Sequence, residues 1–480
     1  MVRRSYALLL TLALVGAAAF PASATNWPVF GYDPARSGFN SAEKTLSVGN
    51  VRKLHARWQI ALGGTADSTP ILLQRIKVRR IFRSMLYQTR KDGVTLGIDA
   101  TTGKILWHFA TTGPNYTHST PAADPSLTAI YVPALDGKVH KLTASNGREI
   151  SAPGFPAKIT RMPATEADES PLNVANGYLY ATTSGYNGDA PPYDGHVVSV
   201  KLTSGAEAVF NSLCSDYTKL PGPNTCSQQR SGIWSRGGAV VDPDPSMGDR
   251  IYAATGNGDF DANKKGGDDY GDSVISLSPH LATLFGSYTP ADYQQLENQD
   301  QDLGSTSPAL LPAQGTSQTP WMLAQGGKDA ELKLINRAAL PGVGSELQVL
   351  NLPDALFSTP AVWTDAAGHA WLFLGFPSAV QAYRLKTNAQ GVSTLQLVWQ
   401  SSPGHTGGEG TSPVVANGIV FVAFDGALVA LDAVSGKLLW TSAMKRAGKT
   451  IGPVHWESPI VVNGAVYCSD ENGNLTAYSL

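Results

Sequence analysis

Short strand-like runs rich in apolar residues recur along most of this chain, of which Val420-Phe421-Val422-Ala423-Phe424 is typical. A period of two places one set of side chains on each face of a strand. The runs are separated by Asn176-Gly177, Asn417-Gly418 and Asn463-Gly464, pairs that accept the positive φ of tight hairpins. A closing signature follows: Ile98-Asp99-Ala100-Thr101-Thr102-Gly103-Lys104-Ile105-Leu106-Trp107 returns as Leu431-Asp432-Ala433-Val434-Ser435-Gly436-Lys437-Leu438-Leu439-Trp440. The Gly makes a turn, and the Trp covers a blade edge with a large apolar area.

Openings are marked as regularly as closings. Ser68-Thr69-Pro70, Ser119-Thr120-Pro121, Ser170-Pro171, Ser307-Pro308, Ser358-Thr359-Pro360, Ser412-Pro413 and Ser458-Pro459 each begin a unit, and Gly237–Asp242 with Arg250–Ala254 fills the long gap. A strand-and-turn repeat of about fifty residues predicts a radial β-array. Eight units give an all-β, eight-bladed propeller of four-stranded antiparallel blades. The last unit stops before its outer strand. The segment Lys53–Ile60, with Trp58, has the pattern to supply it from the N-terminal side, so that no sheet edge is left open.

Repeat architecture overrides the length prior, and residues 25–480 are expected to form one domain. Met1–Ser5 carries Arg3 and Arg4 ahead of an apolar run from Tyr6 to Phe20 and the small-residue stretch Pro21-Ala22-Ser23-Ala24. Residues 1–24 therefore read as a signal peptide cleaved near Ala24, which implies a periplasmic or secreted protein. The general secretory path is favoured, and Arg3-Arg4 leaves the twin-arginine route open. No later run has the length of a membrane span. The formal net charge of −2 gives no electrostatic case for nucleic acid. In an oxidising compartment Cys214 and Cys226, which flank the Pro221-Gly222-Pro223 loop, are expected to form a disulfide worth about 3 kcal/mol. Cys468 lies in a strand pattern and is expected to be a buried apolar residue. The chain is expected to be a monomer.

The closing signature, the count of eight and the leader from Asn26-Trp27-Pro28 to Asn50-Val51 resemble the quinoprotein alcohol dehydrogenase family, propellers that bind pyrroloquinoline quinone (PQQ). The best local match is Gly232-Ile233-Trp234, Asp242-Pro243, Ile251–Asn257 and Gly271–Leu277. By that resemblance Trp234 would stack the quinone, and Asn257 would bind calcium and cofactor. Asp300 and Asp302 fall where the family carries its catalytic aspartate; Asp302 is the chosen base, with Asp300 as alternative, and Asp302 would also touch the metal. Lys328 in Gly327-Lys328-Asp329 would be the cationic contact to the quinone.

The chain departs from the family pattern in three places. The calcium-binding glutamate expected after Ser184-Gly185 is missing, which leaves Asn187 and Asp189 as the nearest oxygen donors. The family's adjacent cysteine pair is absent. No Cys-x-x-Cys-His occurs, so no covalent c-type haem is expected and a separate electron acceptor would be needed. The same fold also serves non-catalytic proteins, including an outer-membrane assembly scaffold, so two functions stay open: a PQQ- and calcium-dependent dehydrogenase acting on an alcohol or sugar hydroxyl, or an envelope scaffold binding a protein or glycan. Asp259–Asp272 is rich in Asp and Gly, but Lys264 and Tyr270 stand where an EF-hand needs Gly and Glu, so it reads as a surface turn. Residues just before each Ser-Pro, namely His118, Glu169, Glu409, Trp456 and Glu457, are expected to line the axial funnel.

Overall fold

A computed structural model describes residues 24–186 and 190–480. The expected leader at 1–24 lies, except for Ala24, outside the described residues, as do Asn187 and Asp189. Eight separate sheets form the ring, and every one is built around antiparallel hairpins. Blade I contains Ile71–Val78, Ile81–Thr89, Thr95–Asp99 and Ile105–Phe109. Blades II to VII follow in chain order. Blade VIII is composite: His55–Ala61 pairs antiparallel with Asn474–Ser479, and Trp58 stands opposite Ala477. The expected closure by the N-terminal strand is therefore present.

The repeated tryptophan latches one blade to the next. Trp58 of blade VIII donates its indole N–H to the Ala100 carbonyl of blade I at 3.2 Å, Trp107 to Ala144 of blade II at 3.2 Å, and Trp399 to Ala433 of blade VII at 3.1 Å. Each accepting alanine precedes the turn glycine on which the ring packs: Gly103, Gly147 and Gly436, at φ of 73°, 67° and 71°. A Cβ there would meet both the indole and left-handed backbone strain, so the signature couples a turn in one blade to a side chain of its neighbour.

The Ser/Thr-Pro openings form a closed belt around the axis. Thr69 N–H donates to Thr120 Oγ1, Ser119 Oγ to the Ser170 carbonyl, and Ser170 Oγ to the Ile233 carbonyl. Ser307 Oγ donates to Ser235 Oγ, Thr306 Oγ1 to the Ser358 carbonyl, and Thr359 N–H to Ser412 Oγ. The circle ends with Ser412 N–H on Ser458 Oγ and Ser458 N–H on Thr69 Oγ1. Proline at the next position removes a donor that would compete for the same acceptors.

Beneath the belt, residues 27–40 cross the hub and seal one end. Trp27 bridges to Leu72 of blade I, the Pro34 carbonyl accepts from Asn173 and Val241, and Phe39–Asn40 adds a parallel strand to blade VII. Arg36, 2% exposed, bonds the carbonyls of Phe30, Pro171, Leu172 and Gly237. Four carbonyl dipoles solvate this buried guanidinium, whose pKa burial lowers to about 9. Away from the hub, the expected Cys214–Cys226 disulfide is formed and Cys468 is buried and free.

Candidate functional site

Because residues 27–40 close the hub at one end, the axis among the described residues opens as a funnel from the other side. A cavity of about 600 Å³ sits there, with Trp234 and Trp456 at its base and Tyr186 and Phe357 on its sides. The two indoles meet at a ring-centroid distance of 6.2 Å and an angle of 39°. Trp234 is half-buried and presents part of its surface to the cavity.

One wall comes from blades IV and V. After Ile251–Ala254 the chain turns through Thr255-Gly256-Asn257, where Gly256 packs so tightly on Asp302 and the Trp234 indole nitrogen that no Cβ fits. Asn257 is 7% exposed; its backbone N–H donates to Asp302 Oδ1 at 2.7 Å and its Nδ2 to the Leu296 carbonyl at 3.0 Å. Those bonds fix the carboxamide and leave Oδ1 buried without a partner. A buried unpaired carbonyl oxygen is costly unless something else uses it. The short helix Tyr293–Gln299 ends at Asp300 with a left-handed φ of 54°, which turns the next residues inward. Asp300 is left largely exposed, whereas Asp302 is buried in the wall.

Lys328 bridges this wall to the floor. Its ammonium pairs closely with Asp302, lies 3.3 Å from Asp300, and stands 5.3 Å from the Trp234 ring centroid, a cation–π position. Burial raises the Asp302 pKa even though Lys328 opposes it. Behind them Asp272 accepts from Leu303 N–H at 3.0 Å with one oxygen and has none for the other; burial, helped by Asp302 and Glu297, pushes it up to about 8. This wall thus carries three carboxyls, one cation and two unpartnered oxygens.

The other wall joins blades I, II, III, VII and VIII, with Arg236 contributed from blade IV. Asp67, fully buried, lies 3.0 Å from Lys91 Nζ, 3.1 Å from His118 Nε2 and 3.0 Å from His455 Nδ1, and accepts from Trp456 N–H at 2.9 Å. Burial alone would raise it, yet the two histidines hold it well below the usual carboxylate range. His118 also bonds Glu169 and stacks on Trp456 at 4.6 Å. Burial works against its charge, but Glu169 and Asp67 lift its pKa to about 9, so it is an imidazolium at neutral pH. Arg236 pairs with Glu409 at 3.0 Å and lies 5.4 Å over Trp456. Glu457 is fully buried behind this wall, and burial, with Asp67 and Glu471 nearby, pushes its pKa well above the ordinary carboxyl range.

Trp234, Asp300, Asp302 and Lys328 therefore line one cavity, and Asn257 is buried behind Asp302, to which its backbone N–H is bonded. Glu169, Glu409 and Trp456 line the cavity; His118 and Glu457 sit behind its surface. Sequence reading missed Asp67, Arg236 and His455. Asp67 immediately precedes Ser68-Thr69-Pro70, so the positional rule that found His118 already contained it. Far from the funnel, Asp261, Asp268 and Asp269 place oxygens within 4.8 Å of one another, and Asp261 accepts from the backbone N–H of the other two. These three carboxylates lie in the Asp- and Gly-rich turn, and their oxygens could also hold a cation.

Residues 41–223 and 389–480, more than half of the chain, match the PQQ-like repeat family described as outer membrane protein assembly factor BamB. The curated BamB of Moranella endobia is 35% identical over 92 residues, 17% of this chain and 21% of that protein, so the match spans about a fifth of that relative's length. Among solved structures, the quinohemoprotein alcohol dehydrogenase of Pseudomonas putida HK5 superposes with a TM-score of 0.66 at 14% identity, covering 95% of this chain and 80% of that one. A europium-containing methanol dehydrogenase gives 0.65 at 13% identity, covering 96% and 99%. At such identities the structural likeness concerns the fold.

Proposed function

The chain belongs to the PQQ-like repeat family, and we propose that it is an exported quinoprotein that holds PQQ in the funnel and oxidises an alcohol or sugar hydroxyl. The observation that carries this reading is the buried, unpartnered Asn257 Oδ1 behind Asp302, in a wall whose Lys328 and half-buried Trp234 line the cavity. A flat polyanion suits an indole floor flanked by Lys328 on one side and Arg236 and His455 on the other. Asn257 Oδ1 and Asp302 are hard oxygen donors that would hold calcium. The missing glutamate leaves that set short, so loading is expected to need added calcium.

When bound, the quinone would supply the hydride acceptor, and its electrons would pass on to a separate acceptor. The protein's own part is local. Asp302 would take the proton of the substrate hydroxyl, and Lys328 would orient that carboxylate and offset its charge. Trp234 and Trp456 would exclude water from below. Dye-linked oxidation of alcohols and sugars by protein incubated with PQQ and calcium tests the reading: Asp302→Asn should retain cofactor and lose turnover. Absence of both binding and turnover in the parent protein would refute it. Mass spectrometry of the mature chain from the periplasm tests the proposed cleavage near Ala24.

A second reading, an envelope scaffold binding a protein partner, is favoured by one observation. The Lys328 ammonium already occupies Asp302, which completes an ion pair without any ligand. The BamB description of the matched family agrees with it.

A further inference from the structure

The first hairpin of blade I differs from its counterparts. In blade VII the first strand, Val414–Ala416, is three residues long and turns at Asn417-Gly418; in blade VIII, Ile460–Val462 turns at Asn463-Gly464. In blade I the same strand runs eight residues, Ile71–Val78, and its partner nine, Ile81–Thr89. The extra five residues project by about 15 Å at the rise of a strand. The two-residue turn, closed by Val78 opposite Ile81, is Arg79-Arg80, with φ of 47° and 81°. Two arginines stand in left-handed positions that Asn-Gly would occupy with less strain.

What the hairpin displays is a basic turn flanked by exposed apolar side chains. Arg75, Lys77, Arg79, Arg80 and Arg83 fall within nine residues, and no acid occurs between Asp67 and Asp92, although the whole chain has a formal charge of −2. Ile81 is 57% and Phe82 61% exposed, adjacent, and directed to opposite faces of the ribbon; Arg75 stands 5.5 Å over the Phe82 ring. Beside the hairpin lies a cleft of about 510 Å³ lined by Arg79, Arg83, Lys104 and Arg148, with Trp107 at its apolar side. Arg83 pairs with Asp99; among the described residues the other three have no ion pair.

Large exposed apolar side chains ringed by unpaired cations match an interface that is both anionic and apolar beneath its surface. We propose that this hairpin docks the protein onto an anionic phospholipid bilayer, with Ile81 and Phe82 entering the headgroup boundary and the adjacent cleft receiving a lipid phosphate. Charge complementarity selects this occupant: unpaired cations alone suit any polyanion, but Ile81 and Phe82, next to the turn, gain only where acyl chain lies below the phosphates. The topology suits it too. Thr89, at the far end of the hairpin, accepts from Ser68 Oγ at 2.6 Å beside the funnel, so the tip lies at the opposite end of the blade. A docked molecule keeps its funnel facing solvent, whatever the funnel binds.

Sedimentation of the full-length mature protein with vesicles tests the proposal. Binding to phosphatidylglycerol-containing vesicles is expected, with little to pure phosphatidylcholine, and it should weaken about tenfold or more in Arg79→Gln/Arg80→Gln and in Ile81→Ser/Phe82→Ser. Both double variants replace exposed residues, and an unchanged thermal midpoint checks their folding. As an independent readout, Phe82→Cys carrying an environment-sensitive dye should shift to the blue on anionic vesicles; Cys468 is buried and leaves the label specific. Equal binding to neutral vesicles, unchanged binding of either variant, or no dye shift would overturn the proposal. Retention on heparin or duplex DNA with no vesicle binding would overturn it in favour of a soluble polyanion.

Discussion

The two walls of the funnel hold similar numbers of carboxyl groups and treat them differently. Around Asp67, Glu169 and Glu409 stand Lys91, His118, Arg236 and His455, so each of these three carboxylates has at least one cationic partner. Around Asp272, Asp300 and Asp302 stands Lys328 alone, and oxygens of Asn257 and Asp272 have no partner. In the first wall these charges are paired without any ligand, although Glu169 Oε2 and Glu457 Oε1 are also buried without a hydrogen-bond partner among the described residues. The second keeps a deficit of positive charge and an oriented free carbonyl oxygen, which is the arrangement a cation or a cationic edge of a bound group would complete. Compensation thus separates a structural network from a candidate site more clearly than the presence of acids and histidines does.

Removing the cation at the centre of the paired wall should have the largest effect. His118→Ala leaves Asp67 and Glu169 buried with fewer partners and is expected to cost about 3–5 kcal/mol in urea denaturation. Because folding raises the His118 pKa from 6.5 to about 9, its contribution is whole below pH 6.5 and fades as the pH rises through about 9. The gap between parent and variant should therefore narrow over that window; a gap independent of pH would mean that His118 acts through packing on Trp456 alone.

On the second wall, Asn257→Ala should cost only about 1 kcal/mol of stability, the net worth of its bond to Leu296. Asp272→Asn is expected to stabilise by about 1 kcal/mol at pH 8, because a neutral amide escapes the cost of a carboxyl that folding forces to stay protonated. The sign follows from the raised pKa: the native carboxyl favours folding below pH 3.8 and loses that contribution as the pH rises through about 8, so the variant's advantage should grow over the same range. A destabilised Asp272→Asn would show that the wall is already compensated by a group that needs the carboxylate.

Legibility in the sequence followed periodicity. The Trp latch, the Ser/Thr belt and closure by Trp58 repeat at fixed offsets, so their spacing alone exposed them. Only the partner of each latch was hidden, since the indole packs on the next blade rather than on its own. Trp234, Asn257, Asp302 and Lys328 were found through a family resemblance, and their proximity required the ring. Asp67, Arg236 and His455 come from three blades and have meaning only together. Arg36 looks like a surface arginine in the leader until four backbone carbonyls converge on it. The basic hairpin vanished in a net charge close to zero, because composition averages what a single ribbon concentrates.

Titration of the mature protein with PQQ in added calcium, followed by tryptophan fluorescence, tests most directly the central claim that the uncompensated wall is the ligand site. Saturable quenching at micromolar PQQ is expected, weakened about tenfold in Asn257→Ala while His118 variants that remain folded keep it. No saturable quenching, or quenching that Asn257→Ala leaves unchanged, would contradict it.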